Sequence, residues 1–168
     1  MTRATILTSM LLGVAACRMD ARQQAVPHDA ATARAFVVEF YAWYYPSAAG
    51  MKNIDTLMAT RRSALDPELS AMIDADNACM ASTHGVCNLE EDPLLAAQDP
   101  CERYEVGGAL AHHDTIGVSV FAVCEGKRDT IPSVIAMVVA SGGSWRFANF
   151  VYPAEKTDLR TILSQKVR

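Results

Sequence analysis

The chain has 168 residues, of which 51% are hydrophobic and 20% are charged. This length suits one domain with a core of its own, and the hydrophobic content argues against a disordered chain. The net charge is −4 and the sequence contains no Lys/Arg cluster, so we expect no nucleic-acid partner.

The first 16 residues have the pattern of a secretory signal peptide. Arg3 supplies a positive charge, residues 6–14 are apolar, and two alanines precede Cys17. The apolar run is too short to span a bilayer. Val14-Ala15-Ala16-Cys17 resembles a bacterial lipobox, in which the cysteine is acylated and becomes the first mature residue. A cleaved signal with an incidental cysteine is the alternative.

This pattern predicts lipidation at Cys17, which would anchor the chain in a membrane. It divides the chain into a signal peptide over 1–16, a polar tether over 17–28 and one domain over 29–168. Arg18, rather than Asp, follows the cysteine. By resemblance to lipoproteins of double-membraned bacteria, this implies a place in the cell envelope at the outer membrane, facing the periplasm.

Residues 33–46, read as ARAFVVEFYAWYYP, predict a helix that is apolar around most of its circumference and ends at Pro46. We expect the strand-rich second half of the chain to pack around it. Five of its side chains fall on one stripe at about 100° per residue: Phe36, Val37, Phe40, Tyr41 and Tyr44.

Two Asp-Pro pairs predict helix starts, since Asp is a good N-cap and proline fits the first helical position. The first, Asp66-Pro67, begins a helix that runs to about residue 80. Asp76 lies inside its apolar stripe, where a carboxylate needs an explanation. The stripe faces a wet cavity there, or Asp76 is paired with a buried donor, or the helix has left the core. The second pair, Asp92-Pro93, predicts a short helical turn whose leucines fill the core.

The pattern then changes to alternation with a period of two, which predicts strands and hairpin turns. The third strand is apolar on both faces, as is typical of a central strand covered on both sides. Gly107-Gly108 predicts a β-bulge or a bend. Thr157 is expected to cap a C-terminal helix. The four predicted strands are 103–111, 115–124, 131–140 and 145–152, with turns at 112–114 and 141–144.

The order of these elements predicts an α+β fold. In it, N-terminal helices pack on a curved, mainly antiparallel four-stranded sheet, and a C-terminal helix follows. This arrangement resembles the cystatin-like or nuclear-transport-factor-two-like cone, which ketosteroid-isomerase-like proteins share.

Three segments resemble, within that fold, the domain-of-unknown-function 3828 family of bacterial lipoproteins. They are FVVEFYAWYYP, DPLLAAQD, and SWRFANFVYP followed by DLRTIL. The resemblance covers about residues 31–163. It implies a fold and a compartment but no reaction.

Four cysteines remain when Cys17 is set aside, and an exported protein meets an oxidising compartment. Four cysteines allow three connectivities. If strands 103–111 and 115–124 pair so that Ala111 faces Asp114, then Cys101 faces Cys124, which leaves Cys79 with Cys87. A shift of one residue at the turn would put Cys101 and Cys124 on opposite faces.

The sequence contains no pattern for a metal, a cofactor or a catalytic centre. His-x-Glu, His-x-x-x-His, CxxC, GxSxG, P-loop and GxGxxG spacings are all missing. Ketosteroid-isomerase-type chemistry would need a carboxylate base in an apolar pocket and hydrogen-bond donors. The side chains that could form such a pocket are Asp76, Asp99, Tyr41 and Tyr44.

Two functions from different classes follow. The first is a non-catalytic cell-envelope lipoprotein domain that binds an envelope protein, a peptide or a small apolar ligand; an immunity-type binder is one form of it. The second is a ketosteroid-isomerase-like isomerase or dehydratase, or a small-ligand carrier, that uses the cavity of the cone. A deep cavity with Asp76 or Asp99 at its floor favours the second. A cavity filled by Tyr41, Trp43, Tyr44 and methionine side chains favours the first.

Overall fold

The computed structural model describes residues 29–49 and 54–165. The predicted signal peptide, Cys17 and the tether lie outside the described residues. The helices are α1 (Ala30–Ala49), α2 (Ile54–Thr60), α3 (Pro67–Thr83) and α4 (Leu159–Leu163), with a 3-10 turn at Arg62–Ala64. The strands are β1 (Arg103–His112), β2 (Thr115–Cys124), β3 (Lys127–Arg128), β4 (Val134–Ser141), β5 (Ser144–Tyr152) and β6 (Thr157–Asp158).

One antiparallel sheet of six strands dominates the second half of the chain. Its order is β1-β2-β4-β5-β6, and β3 pairs with β2 beside this path. The chain is α+β, but the predicted four-stranded sheet of the cystatin-like or nuclear-transport-factor-two-like cone is wrong. The sequence missed β3 and β6 because each has only two residues, too few to show an alternating pattern.

Helix α1 supplies the aromatic part of the core. Asp29 caps it, accepting a hydrogen bond from the Thr32 N–H at 2.8 Å. The Phe40 ring lies with its centroid 4.5 Å from that of Phe147 on β5, edge to face. The helix runs past Pro46 to Ala49. Pro46 therefore does not end the helix as predicted; it only removes one backbone hydrogen bond of the last turns.

Helix α3 begins where Asp66-Pro67 predicts. The Asp66 carboxylate accepts from the Glu68 N–H at 3.1 Å, and the helix ends at Thr83, before His84 in a left-handed conformation. Arg160 of α4 binds Asp66 at 2.9 Å and the Ala148 carbonyl of β5 at 2.7 Å. This half-buried guanidinium fixes α3, α4 and β5 against one another.

The Asp92-Pro93 pair begins a tight turn instead of a helix. The Asp92 carboxylate accepts from the Leu94 and Leu95 N–H groups at 2.9 and 3.2 Å, as an N-cap would. Ala96 then adopts a left-handed conformation with φ 50°, which stops propagation of the helix. Leu94 and Leu95 are fully buried, as predicted.

The C-terminal helix and the third predicted strand begin later than expected. Thr157 belongs to β6, and the cap of α4 is Asp158, whose carboxylate accepts from the Thr161 N–H at 3.0 Å. Strand β4 begins at Val134. Ile131, predicted to be in the strand, is 58% exposed and precedes Pro132, which has no N–H for the ladder.

The β1–β2 hairpin has a different register from the predicted one. His112 pairs with Thr115, so the two turn residues are 113 and 114 instead of 112 and 113, and Ala111 faces Ile116 instead of Asp114. A β-bulge between Val106 and Ala109, at the predicted Gly107-Gly108, then shifts the register back by one residue.

The structure joins Cys101 to Cys124 and Cys79 to Cys87, which are the two predicted pairs. The Cα atoms of Cys101 and Cys124 are 4.8 Å apart although the predicted register was wrong. Cys101 precedes the first paired residue of β1, Arg103, so the alternation of strand faces does not fix its direction. The other pair closes the loop after α3, with Cα atoms 6.2 Å apart.

Candidate functional site: the outer face of the sheet

The tyrosines of the predicted pocket close the core. The Tyr41 hydroxyl donates to the Leu94 carbonyl at 2.6 Å, and the Tyr44 hydroxyl donates to Asp92 Oδ2 at 2.7 Å. Both rings are buried. Burial, with a smaller effect of the Asp92 charge, raises the pKa of both hydroxyls well above the usual value. These side chains therefore hold α1 to the turn that follows Asp92.

The carboxylates of the predicted pocket lie elsewhere. Asp76 is only 3% exposed, and its Oδ1 accepts from the backbone N–H and the side-chain amide of Asn88, both at 2.9 Å. Of the three explanations for Asp76, pairing with a donor is the one the structure supports, although Asn88 is half-buried and Oδ2 of Asp76 is buried without a hydrogen-bond partner among the described residues. Asp99 is exposed. Asp76, Asp99, Tyr41 and Tyr44 thus do not share a set of partners.

The outer face of the sheet, opposite α1, carries an open apolar groove of 500 Å³. Strand β4 shows how it arises. Val134, Ala136 and Val138 point inward and are fully buried, whereas Ile135 and Met137 point outward and are partly exposed. The groove is lined by nine residues of β1, β2, β4 and β5: Gly108, Ala109, Leu110, His112, Gly117, Ser119, Ile135, Met137 and Val151.

Gly117 is one of the residues that line this outer-face groove. A Cβ atom at position 117 would lie 3.1 Å from Cγ2 of Ile135 and 3.2 Å from Sδ of Met137. These two side chains therefore lean over the glycine, and any larger residue would displace them. The concavity depends on the missing side chain.

The two ends of the groove differ. At the edge of the sheet, Leu110 stands 78% exposed beside the polar side chain of His112. Further along β2, beyond Ser119, the ring of Phe121 points the same way, and the Arg128 guanidinium carbon lies 3.7 Å from its centroid. Arg128 also pairs with Glu105 at 3.3 Å. Stacked charge thus covers the apolar surface at the Phe121 end and leaves it open at the Leu110 end.

Gly107 lets Phe121 lie flat on β1. A Cβ atom at position 107 would be 2.7 Å from Cε2 of Phe121, which is closer than real contacts allow. By contrast, a Cβ atom at the neighbouring Gly108 would meet nothing within 4 Å. The bulge therefore serves two purposes, since one glycine makes room for the ring and the other opens onto the groove.

Within residues 29–49 and 54–165, no group of three His, Cys, Asp or Glu side chains could hold a metal ion. Over the same residues, no helix is both long and apolar enough to cross a membrane. Comparisons with protein-family models, curated proteins and solved structures gave no match.

Sequence reasoning missed this surface although the signal was present. The two-sided apolar pattern of the predicted strand 131–140 is typical of a strand covered on both sides. In the structure, α1 and the turn after Asp92 lie over the inner face, while the outward side chains of β4 line an open groove. The pattern alone does not say whether the cover belongs to the same chain.

Proposed function

We propose that the chain is a non-catalytic domain of the cell envelope that binds an apolar segment of another envelope protein in the outer-face groove. The observation that carries this proposal is the row of partly exposed apolar side chains that β4 presents on its outward face. Antiparallel sheets that meet water on one side usually alternate apolar and polar residues. Contiguous exposed apolar surface is typical of interaction sites, because burying it releases hydrating water.

The shape of the groove favours a protein segment over a small ligand. Its 500 Å³ lies within the range of small-molecule sites, but such sites enclose most of the ligand surface. Here the walls belong to one face of one sheet, so the opposite side must come from the partner. A segment of a protein can cover the open side of the groove, because the rest of that protein lies over the segment.

The charge of the lining defines the chemistry of the partner. None of the nine lining residues is Asp, Glu, Lys or Arg, and the polar side chains among them are His112 and Ser119. An acidic or basic peptide would lose hydration here without gaining an opposite charge. The expected partner segment therefore presents aliphatic or aromatic side chains.

The envelope assignment is supported by the sequence. The lipobox resemblance predicts a lipid on Cys17, and this lipid would anchor the chain in a membrane. The twelve residues 17–28 have a maximum length of roughly 40 Å. The resemblance to a lipoprotein family over residues 31–163 is in line with this location. Under this proposal the domain meets its partner close to the outer membrane, and a toxin neutralised in the periplasm is one form such a partner could take.

The isomerase alternative is not supported by a shared site, because its proposed base and its proposed donors have separate partners among the described residues. Its proposed hydroxyl donors, Tyr41 and Tyr44, already donate to Leu94 and Asp92. Its proposed base, Asp76, accepts two hydrogen bonds from Asn88.

The test is site-specific photocrosslinking of the full-length protein in a Gram-negative host. A benzophenone side chain at position 137 lies in the groove, and one at position 131 is a matched control on an exposed apolar residue outside it. We expect a discrete protein adduct from position 137 only, which Gly117→Val abolishes by filling the groove. Identical adducts from both positions, or none from 137, would contradict the proposal. Crosslinking of position 137 to an extractable small molecule would favour the small-ligand form instead.

A further inference from the structure

Strand β1 is an edge of the sheet, because its only strand partner in the described chain is β2. An edge strand has backbone N–H and C=O groups that point away from its partner and can pair with another strand. In an antiparallel edge strand, the backbone N–H and C=O groups of every second residue point away from the partner strand, in the plane of the sheet. The positions of these outward groups decide where a further strand could add.

In the first part of β1 and just before it, side chains of α1 cap four backbone carbonyls. The Arg34 guanidinium donates to the carbonyls of Val106 and Gly107 at 2.9 and 2.7 Å. The Tyr45 hydroxyl donates to the Cys101 carbonyl at 2.9 Å and also to that of Glu102. These side chains cap the edge near both ends of this part, and α1 lies beside the edge with an open groove between them.

This protection ends at the bulge. His112 and Thr115 flank a two-residue turn, and such a flanking pair exchanges backbone hydrogen bonds. Counting back by two, Leu110 also bonds to β2, so the backbone groups of Ala109 and Ala111 point outward. Val106 leads to the same assignment, since its carbonyl points away from β2 toward Arg34. The bulge inserts one extra residue between Val106 and Ala109, so Ala109 is the next residue whose backbone groups point the same way.

The segment from 108 to 112 also lacks the usual side-chain protection of an edge. Proteins commonly guard edges with lysine, other charges or proline. Here the residues are Gly108, Ala109, Leu110, Ala111 and His112, without Asp, Glu, Lys, Arg or Pro. Leu110 is the most exposed of the large hydrophobic side chains in the described chain, at 78%. An open edge and an exposed apolar side chain therefore coincide.

We propose that a second copy of this chain pairs with β1 here, antiparallel about a two-fold axis at Leu110. Ala109 pairs with the partner's Ala111, and Ala111 pairs with the partner's Ala109. Each pair exchanges two backbone hydrogen bonds, which gives four in total. Leu110 faces the partner's Leu110 in a non-hydrogen-bonded position, with Cα atoms about 4.5 Å apart.

A second copy fits this edge because an antiparallel edge is complementary to itself. The two-fold axis matches every outward donor with an outward acceptor of the same segment. The segment has no formally charged side chain, so identical copies meet without like-charge contacts, which oppose strand pairing. Leu110, on the axis, would lose its exposed surface to an identical leucine.

Pairing at this edge goes beyond the proposed function and rests on separate observations. It depends on the backbone of residues 108–112, whereas partner binding depends on the outward side chains of β4. The two would be linked in space, because Leu110 and Gly108 also line the groove. Two outer-face grooves would then meet at the two-fold axis and form one apolar surface across both copies.

The first experiment uses Leu110→Cys in the full-length exported protein. Cysteines facing each other at a non-hydrogen-bonded cross-strand position are close enough for a disulfide. We expect a disulfide-linked dimer on a non-reducing gel. It should be at least about tenfold more abundant than with the control Ile131→Cys, whose cysteine replaces an exposed residue outside the 108–112 segment. Peptide mapping checks that the two native disulfides are retained. Equal dimer levels for the two variants would overturn the proposal.

The second experiment uses Ala111→Pro and keeps the proposal falsifiable if the cysteine variant misfolds. Proline removes an N–H that points outward, so the β1–β2 ladder keeps its hydrogen bonds. In detergent micelles, sedimentation should give a dimer for the wild-type chain. For Ala111→Pro the dimer dissociation constant should rise by about tenfold or more, since both copies lose a hydrogen bond.

A wild-type chain that sediments as a monomer at every concentration, or an Ala111→Pro chain that dimerises as tightly, would overturn the pairing. Photocrosslinking from position 137 should survive in Ala111→Pro. Its result therefore separates failure of the dimer from failure of the groove.

Discussion

Replacing Tyr44 by Phe tests how the core is closed, because it removes one hydroxyl from a fully buried site. That hydroxyl donates to Asp92 Oδ2, while the other Asp92 oxygen accepts from the Leu94 and Leu95 N–H groups. Burial raises the pKa of Asp92 above its ordinary value of 3.8, and these three hydrogen bonds oppose the rise. Tyr44→Phe removes one of them, so the pKa of Asp92 should rise further.

The sign of the pH effect follows from linkage. With a raised folded-state pKa, the folded chain keeps a proton that the unfolded chain has released, over the interval between the two pKa values. The contribution of Asp92 to stability is therefore largest below pH 3.8 and falls as pH rises through that interval. Tyr44→Phe extends the interval upward, so its cost should grow with pH.

The magnitude depends on the charge of Asp92. Where Asp92 is ionised, the lost hydrogen bond goes to a half-buried carboxylate, and hydrogen bonds to charged groups contribute about 1.5–3 kcal/mol. Where Asp92 is protonated, at the acid end of that interval, the loss should approach that of a neutral hydrogen bond, about 1 kcal/mol. Tyr41→Phe is the matched control, since it loses a bond to the neutral Leu94 carbonyl and should cost about 1 kcal/mol at every pH.

Urea unfolding from below pH 3.8 to about pH 8, followed by the fluorescence of Trp43 and Trp145, measures these free energies across the whole interval. In an Asp92→Asn background, the cost of Tyr44→Phe should no longer depend on pH. If Tyr44→Phe costs the same across the range in the wild-type background, Asp92 does not carry the raised pKa and the reasoning is refuted.

Three further predictions concern the anchor, the disulfides and the bulge. In a Gram-negative host the wild-type protein should partition into detergent with the membranes and Cys17→Ser should be soluble; a soluble wild type would contradict lipidation. Cys101→Ser should destabilise by about 3.4 kcal/mol and Cys87→Ser by about 2.5 kcal/mol in urea unfolding, because the first bridge closes the longer loop; the reverse order would refute this. Gly107→Ala should cost about 1–3 kcal/mol by overpacking against the ring beside it, and Gly108→Ala under about 0.5 kcal/mol in thermal unfolding; equal losses would show that the ring moves away freely.

The hairpin shows why the sequence predicted the cysteine pair but not the strand register. The alternating pattern fixes which residues of a strand share a face, but it does not say which two residues form the turn. The prediction placed the two turn residues at 112–113, whereas the structure has them at 113–114. The glycine pair signalled a bulge, but the prediction did not include the residue that a bulge adds. Cys101 reaches Cys124 because it lies before the paired part of β1, where the register no longer constrains it.

The candidate pocket shows a second limit. Asp92 has the residue pattern of a helix cap and makes the hydrogen bonds of one. It also accepts a hydrogen bond from the Tyr44 hydroxyl, which belongs to a helix 48 residues earlier in the chain. Local patterns predict the first role, because its partners are two and three residues away. The second depends on how α1 packs against the turn. The sequence alone therefore predicts Tyr44 in a cavity, whereas its hydroxyl binds Asp92 in the core.

Strand β4 shows a third limit, which concerns the function. A strand that is apolar on both faces must be covered on both faces or leave apolar surface in water, which is unfavourable in proportion to its area. The inner face is covered by the aromatic side chains of α1, so its pattern is explained by the fold. The outward Ile135 and Met137 do not contribute to that core, and they lean over Gly117, which leaves a groove that a side chain would fill. A stable surface strand could hold polar residues at these positions at little cost. The apolar choice is therefore best explained by a cover that comes from outside the described chain.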